Sequence, residues 1–584
     1  METCGSAIDN VAVGFLWRAC DASVDFLWLR CGCGSPSFLM GLSLQAAVAG
    51  LVFVAASTTL AALAALVQGS VTSVGAATSL ALGALVGGVA WRGVRPGPAA
   101  RPSRSEAVAL AAFSLVTLRH VAWIVFERDG RIVTLDAFNY GDLPLHWTYI
   151  QFFARGARFW PENPIFTGAR LQYPFGIDLF TAMVVRLGLP MAGALQAVGF
   201  LGAALLIVAL FRWGRGFALA GFFLSGGLGH DPAWKNLFLA LFLPQRGFLF
   251  ALPAGLLLLW SWREGFFRRE GRLPAWVEGL LWGVMPLFHL HTFLFLSLVY
   301  AVWTLWLGRL GEAWKTLAWA ALPAAWATWE VTNAFQAASL VWWKTGGMIG
   351  DSNVASFCAL NFTLFLPLFV VAIAVAVHRS DREALAALVP GLGLFVALFF
   401  VMLAPWEWDN TKVMIWCYLL MLPAAERLVI APLPSWGRVG LVALLLAPGA
   451  VTLVASLGPQ AYAVADREEI ADVCRGVRGL PPSGRVATAQ TFNHPVALCG
   501  QPLVAGYAGH LWSHGIQAKP VEQALASLMS GEPGWEARAR SLHARYLFWG
   551  LRESAAYAGS LRPWEASRAV VWEGAFGRLY DLGE

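Results

Sequence analysis

The chain has 584 residues, 58% of them hydrophobic and 13% charged, with a formal net charge of +6. Mean hydropathy is +0.61, and apolar runs of about 20 residues recur, the length that crosses a hydrocarbon core of about 30 Å. Most of these runs lack the charged outer stripe of a soluble surface helix, so a soluble globular protein is excluded, and nothing points to nucleic acid as a partner.

Cytoplasmic loops retain Lys and Arg, and this orders the chain. Residues 1–105 read as an N-terminal segment with apolar runs at 38–66 and 74–92, leading to Arg92, Arg95, Arg101 and Arg104, the clearest inside loop. No compact signal-peptide pattern is evident, and Cys31 with Cys33 lacks the second pair of a metal site. Residues 106–126 cross outward, and the polar stretch 127–175 is a large external loop. Residues 176–189 are short, carry Asp178 and Arg186, and read as an interfacial piece. Further spans are expected at 191–211, 217–229, 237–260, 276–289, 292–308, 316–330, 357–377, 384–404, 412–430 and 439–457. The fold class is therefore an all-α polytopic membrane body, 106–460, with about thirteen spans in all, the amino terminus inside and the carboxyl terminus outside.

Residues 461–584 change character. Charged helix-like stretches (ADREEIADVCRGV, VEQALASLMSG, WEARARSLHARY) alternate with strand-like ones (GRVATAQ, RYLFWG, AVVWEG, GRLYDL). This predicts a small α/β domain outside the membrane. Its Cys474 and Cys499 are either a disulfide or two small buried thiols.

Five segments interrupt the hydrophobic runs and fall on the outer side: LDAFNYGDLPLH, FLPQRGFLFALPAG, PLFHLHTF, GDSNVASF and PWEWDNTK. Irregular backbone at membrane depth survives only where protein or a water-filled cavity satisfies it. Five breaks on one side predict one shared polar cavity opening outward.

The first of these segments opens a polar island, Leu135 to Asp178, that holds Asp136, Asp142, His146, Glu162, Arg170 and Asp178. In Y-G-D-L-P-L-H, Asp142 is placed either to accept a proton from an acceptor hydroxyl or to cap a helix that Pro144 begins; Asp136 competes for the first role. Arg246, at the mouth of an apolar run, suits an anion such as phosphate. His289 and His291, two apart, suit phosphate binding or proton transfer in a turn better than metal ligation from a regular helix. Lys412 suits a departing phosphate. Glu407 and Asp409 beside it suit an acceptor or a divalent ion, or a surface ion pair among interfacial tryptophans. His146, Glu162, Arg170 and Asp351 are expected to line the cavity.

An outward Asp in the first large external loop, a many-span body, basic and histidine-bearing outer loops and a trailing soluble domain together resemble the GT-C superfamily of integral-membrane glycosyltransferases. The segments GDLPLH, ENPIFTGARLQYPFG, LPQRGFLFALP, PLFHLHTF, WEWDNTK and NHPVALCGQPLVAGYAGHLWSHG carry the resemblance, over roughly residues 106–584. It implies a sugar donor on a polyprenyl phosphate or diphosphate, a site facing the periplasm of a bacterial inner membrane, and Asp142 (or Asp136) as general base. Arg246, His289, His291 and Lys412 would hold the donor phosphate, and the acceptor would be a glycan, lipid or protein. The adjacent acidic pair of some branches is absent, since Leu143 follows Asp142. An O-antigen polymerase or ligase and a transporter or lipid flippase are the competing readings. The first normally lacks a trailing soluble domain, and the second calls for inverted repeats.

Overall fold

The computed structural model describes residues 36–95, 101–229, 231–270, 273–336 and 341–583, with side chains from Leu44 onward; Cys31 and Cys33 lie outside them. The chain divides into two compact units, residues 1–44 with 96–101 and residues 45–95 with 102–584. The candidate site and the carboxyl-terminal layer lie wholly in the second.

Among the described residues, seven helices are long and apolar enough to cross a bilayer: Leu44–Gln68, Ser73–Gly93, Arg104–Ala122, Met191–Phe223, Leu290–Leu307, Glu407–Ile430 and Ser435–Ala455. An eighth results if Val354–Phe362 and Phe365–His378, bent by 90°, count as one. Leu82, Leu85, Val89, Leu115, Leu444 and Val451 stand exposed on these helices, apolar surface of the kind that lipid covers. The protein is integral to a membrane.

The expected thirteen spans reach this smaller number for identifiable reasons. The runs 191–211 and 217–229 merge into Met191–Phe223, kinked at Gly214 and Arg215. The kink lets the Arg215 guanidinium grip the Glu106 carboxylate through two 2.7 Å hydrogen bonds. The run 237–260 is a π-helical turn, Phe238–Phe242, followed by Phe248–Arg263. Residues 276–289 and 384–404 form short helices, Ala275–Gly283 with Met285–Phe288, and Arg382–Ala397. Leu310–Val331 is long but diluted by Glu312, Lys315 and Glu330.

The carboxyl-terminal layer is α/β. Its sheet runs in the order Arg485–Ala487, Ala544–Gly550, Gly577–Asp581, Ala569–Gly574, parallel in the first pair and antiparallel in the rest. Val473, Val477, Val486, Val496, Phe548 and Leu579 form its core. Cys474 and Cys499 are disulfide-bonded, tying the Arg467–Arg478 helix to the end of the short Pro495–Leu498 helix.

This layer is built into the loop that precedes it by hundreds of residues. A hairpin, Phe126–Arg128 with Arg131–Thr134, takes Tyr462–Asp466 as its third, antiparallel strand. Residues 164–167 bond along 503–506 through Leu503 N to Pro164 O, Thr167 N to Val504 O and Gly506 N to Ile165 O. Arg155 donates to the carbonyls of Val477 and Leu480 at 3.0 and 3.1 Å. A Cβ on Gly500 would stand 2.5 Å from the Gln151 backbone, so glycine is what lets the two parts meet.

Candidate active site between the helices and the carboxyl-terminal layer

The Asn139–Ala154 helix carries the acidic end of the site. Asp136, not Asp142, starts it: the Asp136 Oδ1 accepts from the Phe138 N–H at 2.9 Å, an Asx turn. Asp142 sits in the first helical turn, free of the capping role and half-buried. His146 follows at i+4 on the same face. Burial pushes the Asp136 carboxyl up to about 7, opposed by the Phe138 and Asn139 N–H groups and reinforced by the charge of Asp142.

Behind this face lies a buried ionic chain. His146 Nδ1 meets Asp178 Oδ2 at 2.8 Å, and Asp178 Oδ1 meets Arg246 Nε at 3.5 Å; the three side chains are 4%, 0% and 2% exposed. Arg246 Nη2 also donates to Thr181 Oγ1 at 3.0 Å, one turn along the Gly176–Arg186 helix that holds Asp178. Charges so far from water persist only when paired. Arg246, expected at the donor phosphate, is thus committed to Asp178. Gly247 beside it allows the close approach, since a Cβ there would overlap the Phe288 carbonyl oxygen.

The two histidines of PLFHLHTF separate in role. His289 is buried and caps the Leu290–Leu307 helix: its Nδ1 accepts from the Thr292 N–H at 3.2 Å and lies 2.8 Å from Thr292 Oγ1. An accepting Nδ1 leaves the proton on Nε2 in the neutral ring. Trp416 Nε1 donates to the same Thr292 hydroxyl at 2.8 Å. His291 is half-buried, within electrostatic reach of Lys412 and Asp409, which pair with each other at 3.1 Å.

The carboxyl-terminal layer closes the ring. The helix Ala508–Ser513 presents His510 and, at its C-cap, His514. The His510 imidazole engages the Gly141 backbone and feels the Asp142 carboxylate and His146. His514 lies 4.7 Å from the Tyr173 ring, centroid to centroid, and feels Lys412, His510 and His146. Tyr173 in turn lies near Asp142, Asp178 and Asp409. Burial lowers both histidines below the ordinary imidazole range. For His510, Asp142 and the Gly141 backbone oppose the shift; for His514, neighbouring His510, Lys412 and His146 deepen it, to about 3. Asp142, Tyr173, His291, Lys412, His510 and His514 all stay partly open to solvent, whereas His146, Asp178, Arg246 and His289 do not. An inner buried shell thus supports an outer, accessible ring.

Four expected site residues lie elsewhere. Glu162 pairs with Arg485 at 2.8 Å. Arg170 pairs with Glu330 at 2.7 Å and lies over Trp160. Glu407 pairs with Lys344, and Asp351 is exposed in a turn. Glu407 therefore turns away from Asp409, which Lys412 already neutralises, so this pair does not suit a divalent ion. Among the described residues no group of three His, Cys, Asp or Glu side chains has a metal-binding arrangement.

Sequence reasoning overlooked Tyr173, Thr181, Thr292, Trp416, His510 and His514, and assigned Asp178 no role. The one usable signal was the i, i+4 spacing of His510 and His514 in GYAGHLWSHG, which puts both on one face of a helical turn.

No protein-family model matches the chain, and no curated protein matches it. Among solved structures, the chain is similar to the oligosaccharyltransferase AglB of Archaeoglobus fulgidus in complex with an inhibitory peptide and a dolichol-phosphate, with 13% identity, a TM-score of 0.43, and 76% of this chain and 69% of that one covered. It is also similar to the Archaeoglobus fulgidus oligosaccharyltransferase tethered to an acceptor peptide, with 13% identity, a TM-score of 0.44, and 82% and 74% covered. Identity this low and scores below 0.5 leave the chemistry to be argued from the residues themselves.

Proposed function

We propose that the protein transfers a glycosyl group from a polyprenyl-phosphate or polyprenyl-diphosphate carrier to a hydroxyl of a glycan, lipid or protein acceptor on the extracytoplasmic side of a bacterial inner membrane. The observation that carries this reading is the accessible ring itself. A carboxylate, Asp142, and a cation with imidazoles beside it, Lys412 with His291 and His514, share one junction. Proton removal from an acceptor and charge neutralisation at a leaving phosphate need those two functions side by side.

Asp142 draws the proton from the acceptor oxygen as that oxygen attacks the anomeric carbon. Lys412, with His291 and His514 as hydrogen-bond donors, receives the phosphate oxygen as the carbon–oxygen bond breaks. Arg246 acts from behind by fixing Asp178, which fixes His146. The carrier tail lies in lipid, so the donor never has to dissolve in water.

Two features support the sidedness. The disulfide of Cys474 and Cys499 suits an oxidising compartment. The helices that start at the site, Phe248–Arg263 and Thr411–Ala425, run to a basic end at Arg263, Arg268 and Arg427, as expected of a cytoplasmic face.

The test is purified protein in detergent or nanodiscs given a panel of polyprenyl-phosphate and polyprenyl-diphosphate sugars with hydroxyl acceptors, with carrier release measured. Wild type releases carrier from at least one donor, and Asp142→Asn does so about 10²–10⁴-fold more slowly. Full turnover by Asp142→Asn on an active donor would remove Asp142 from the reaction.

A further inference from the structure

The carboxyl-terminal layer places an imidazole beside the turn that carries the acidic residue of the site, an arrangement that glycosyl transfer through Asp142 and Lys412 leaves unused. His510 is held by three independent features. The Gly141 backbone, one residue from Asp142, engages its ring. The Tyr507 ring meets it edge-on at 5.2 Å between centroids. The layer that carries it is fixed to the same helix through Arg155 and the close approach at Gly500. The groups that face it are Asp142, His146 and His514, with Lys412 beyond His514. His510 is also partly open to solvent, unlike His146.

A carboxylate that takes a proton in each turnover must lose it again before the next. Asp136 is a poor recipient, since it is buried away from the solvent that must finally take the proton. His146 is a poor one too, since its Nδ1 is occupied by Asp178 and the residue is sealed from water.

We infer that His510 is the proton relay of the site: the acceptor proton passes to Asp142 and on to the His510 imidazole, which returns it to solvent. This deepens the glycosyl-transfer reading and rests on it. The step balances. The acceptor O–H bond breaks as the new bond from oxygen to the anomeric carbon forms. The bond from that carbon to the carrier phosphate breaks with its electron pair on the phosphate oxygen. The proton ends on an imidazole nitrogen, giving an imidazolium beside the regenerated Asp142 carboxylate, and then leaves. The soluble layer is thereby a working part of the site, and His510 acts through Asp142 as a positioning and relay residue.

The relay needs neutral His510, so turnover falls as pH drops through the His510 value, below the ordinary imidazole range. The experiment measures carrier release by full-length wild type, His510→Ala and His510→Asn between pH 4.5 and 9, with and without added imidazole, alongside thermal melting of each variant. The expected result is a loss of at least about 10-fold in both variants, disappearance of the acid limb that wild type shows, partial recovery by imidazole in His510→Ala, and unchanged melting. Wild-type turnover in His510→Ala would overturn the relay while leaving glycosyl transfer intact. So would a loss that imidazole does not relieve and that keeps the wild-type pH profile. If wild type releases no carrier from any donor, the transferase reading itself fails and the relay falls with it.

Discussion

The two ends of the helical body use the same residue types to opposite purpose. At the basic end several arginines have found an acid: Arg215 grips Glu106, Arg268 bridges Glu264 and Glu383, and Arg427 meets Asp381 at 2.7 Å. Sixteen residues along the Phe248–Arg263 helix, about 24 Å at 1.5 Å per residue, the other end divides its ionisable side chains into two groups. His146, Asp178 and Arg246 are paired with one another and sealed, while Asp142, His291, Lys412, His510 and His514 stay partly open. Pairing alone does not mark a site, since both ends are paired. The combination of a sealed inner shell with an accessible outer ring is found at one of them.

The sharpest way to break this contrast is to remove the centre of the sealed shell. Asp178→Ala leaves the Arg246 guanidinium buried without its partner and frees His146, and a broken buried pair costs about 3–5 kcal/mol. The expected outcome is loss of the monodisperse folded peak on size exclusion, with all activity. Retention of fold and turnover would show that the inner shell supports nothing. A step smaller, Lys412→Gln removes the cation of the outer ring while keeping a donor. Carrier release should fall about 10²-fold or more, as when one preorganised stabiliser of developing charge is lost, with melting changed far less than in Asp178→Ala. Equal damage to melting in the two variants would erase the distinction between shell and ring.

That distinction was only partly legible in the sequence. Asp142 and His146 stood out because polar residues crowded against an apolar run are costly without a task. The four strands of the carboxyl-terminal sheet followed from short alternating apolar segments. Asp178 was visible but mute, because its partners His146 and Arg246 come from distant helices and no local period links them. The pairing of Arg131–Thr134 with Tyr462–Asp466 was hidden for the same reason. Arg246 and His289 read as phosphate ligands because sequence reports a charge at a helix mouth, not the carboxylate or helix end that consumes it. The span count suffered from a similar blindness: a short apolar helix buried in protein and a span exposed to lipid have one composition.

Asp136 tests the boundary between the two groups, since it is buried like the shell yet adjoins the ring. Its folded value of about 7 lies above the ordinary 3.8. The protonated form is therefore favoured by folding, and stability present below the ordinary value is lost as pH rises from about 4 to about 7. Asp136→Asn keeps the acceptor for the Phe138 N–H and removes the charge. It should melt like wild type at pH 4 and gain on the order of 2–4 kcal/mol over it at pH 8. A wild type whose melting is no less stable than the variant at pH 8 would mean that Asp136 stays ionised at little cost, and so belongs with the open ring.

The smallest effect belongs to the opposite end. Arg427 is half exposed and its partner Asp381 also caps the Arg382–Ala397 helix. Arg427→Gln breaks an ion pair that water and salt already screen, so it should cost about 0.2–1 kcal/mol and leave carrier release at the wild-type rate. The Asp381 cap survives, because its Oδ1 still accepts from the Ala384 N–H. If Arg427→Gln instead lowered turnover as much as Lys412→Gln does, the two ends would be coupled through the helix that joins them, Thr411–Ala425 and its π-helical extension Glu426–Ile430. The basic end would then have to be read as part of the machinery, not as an anchor.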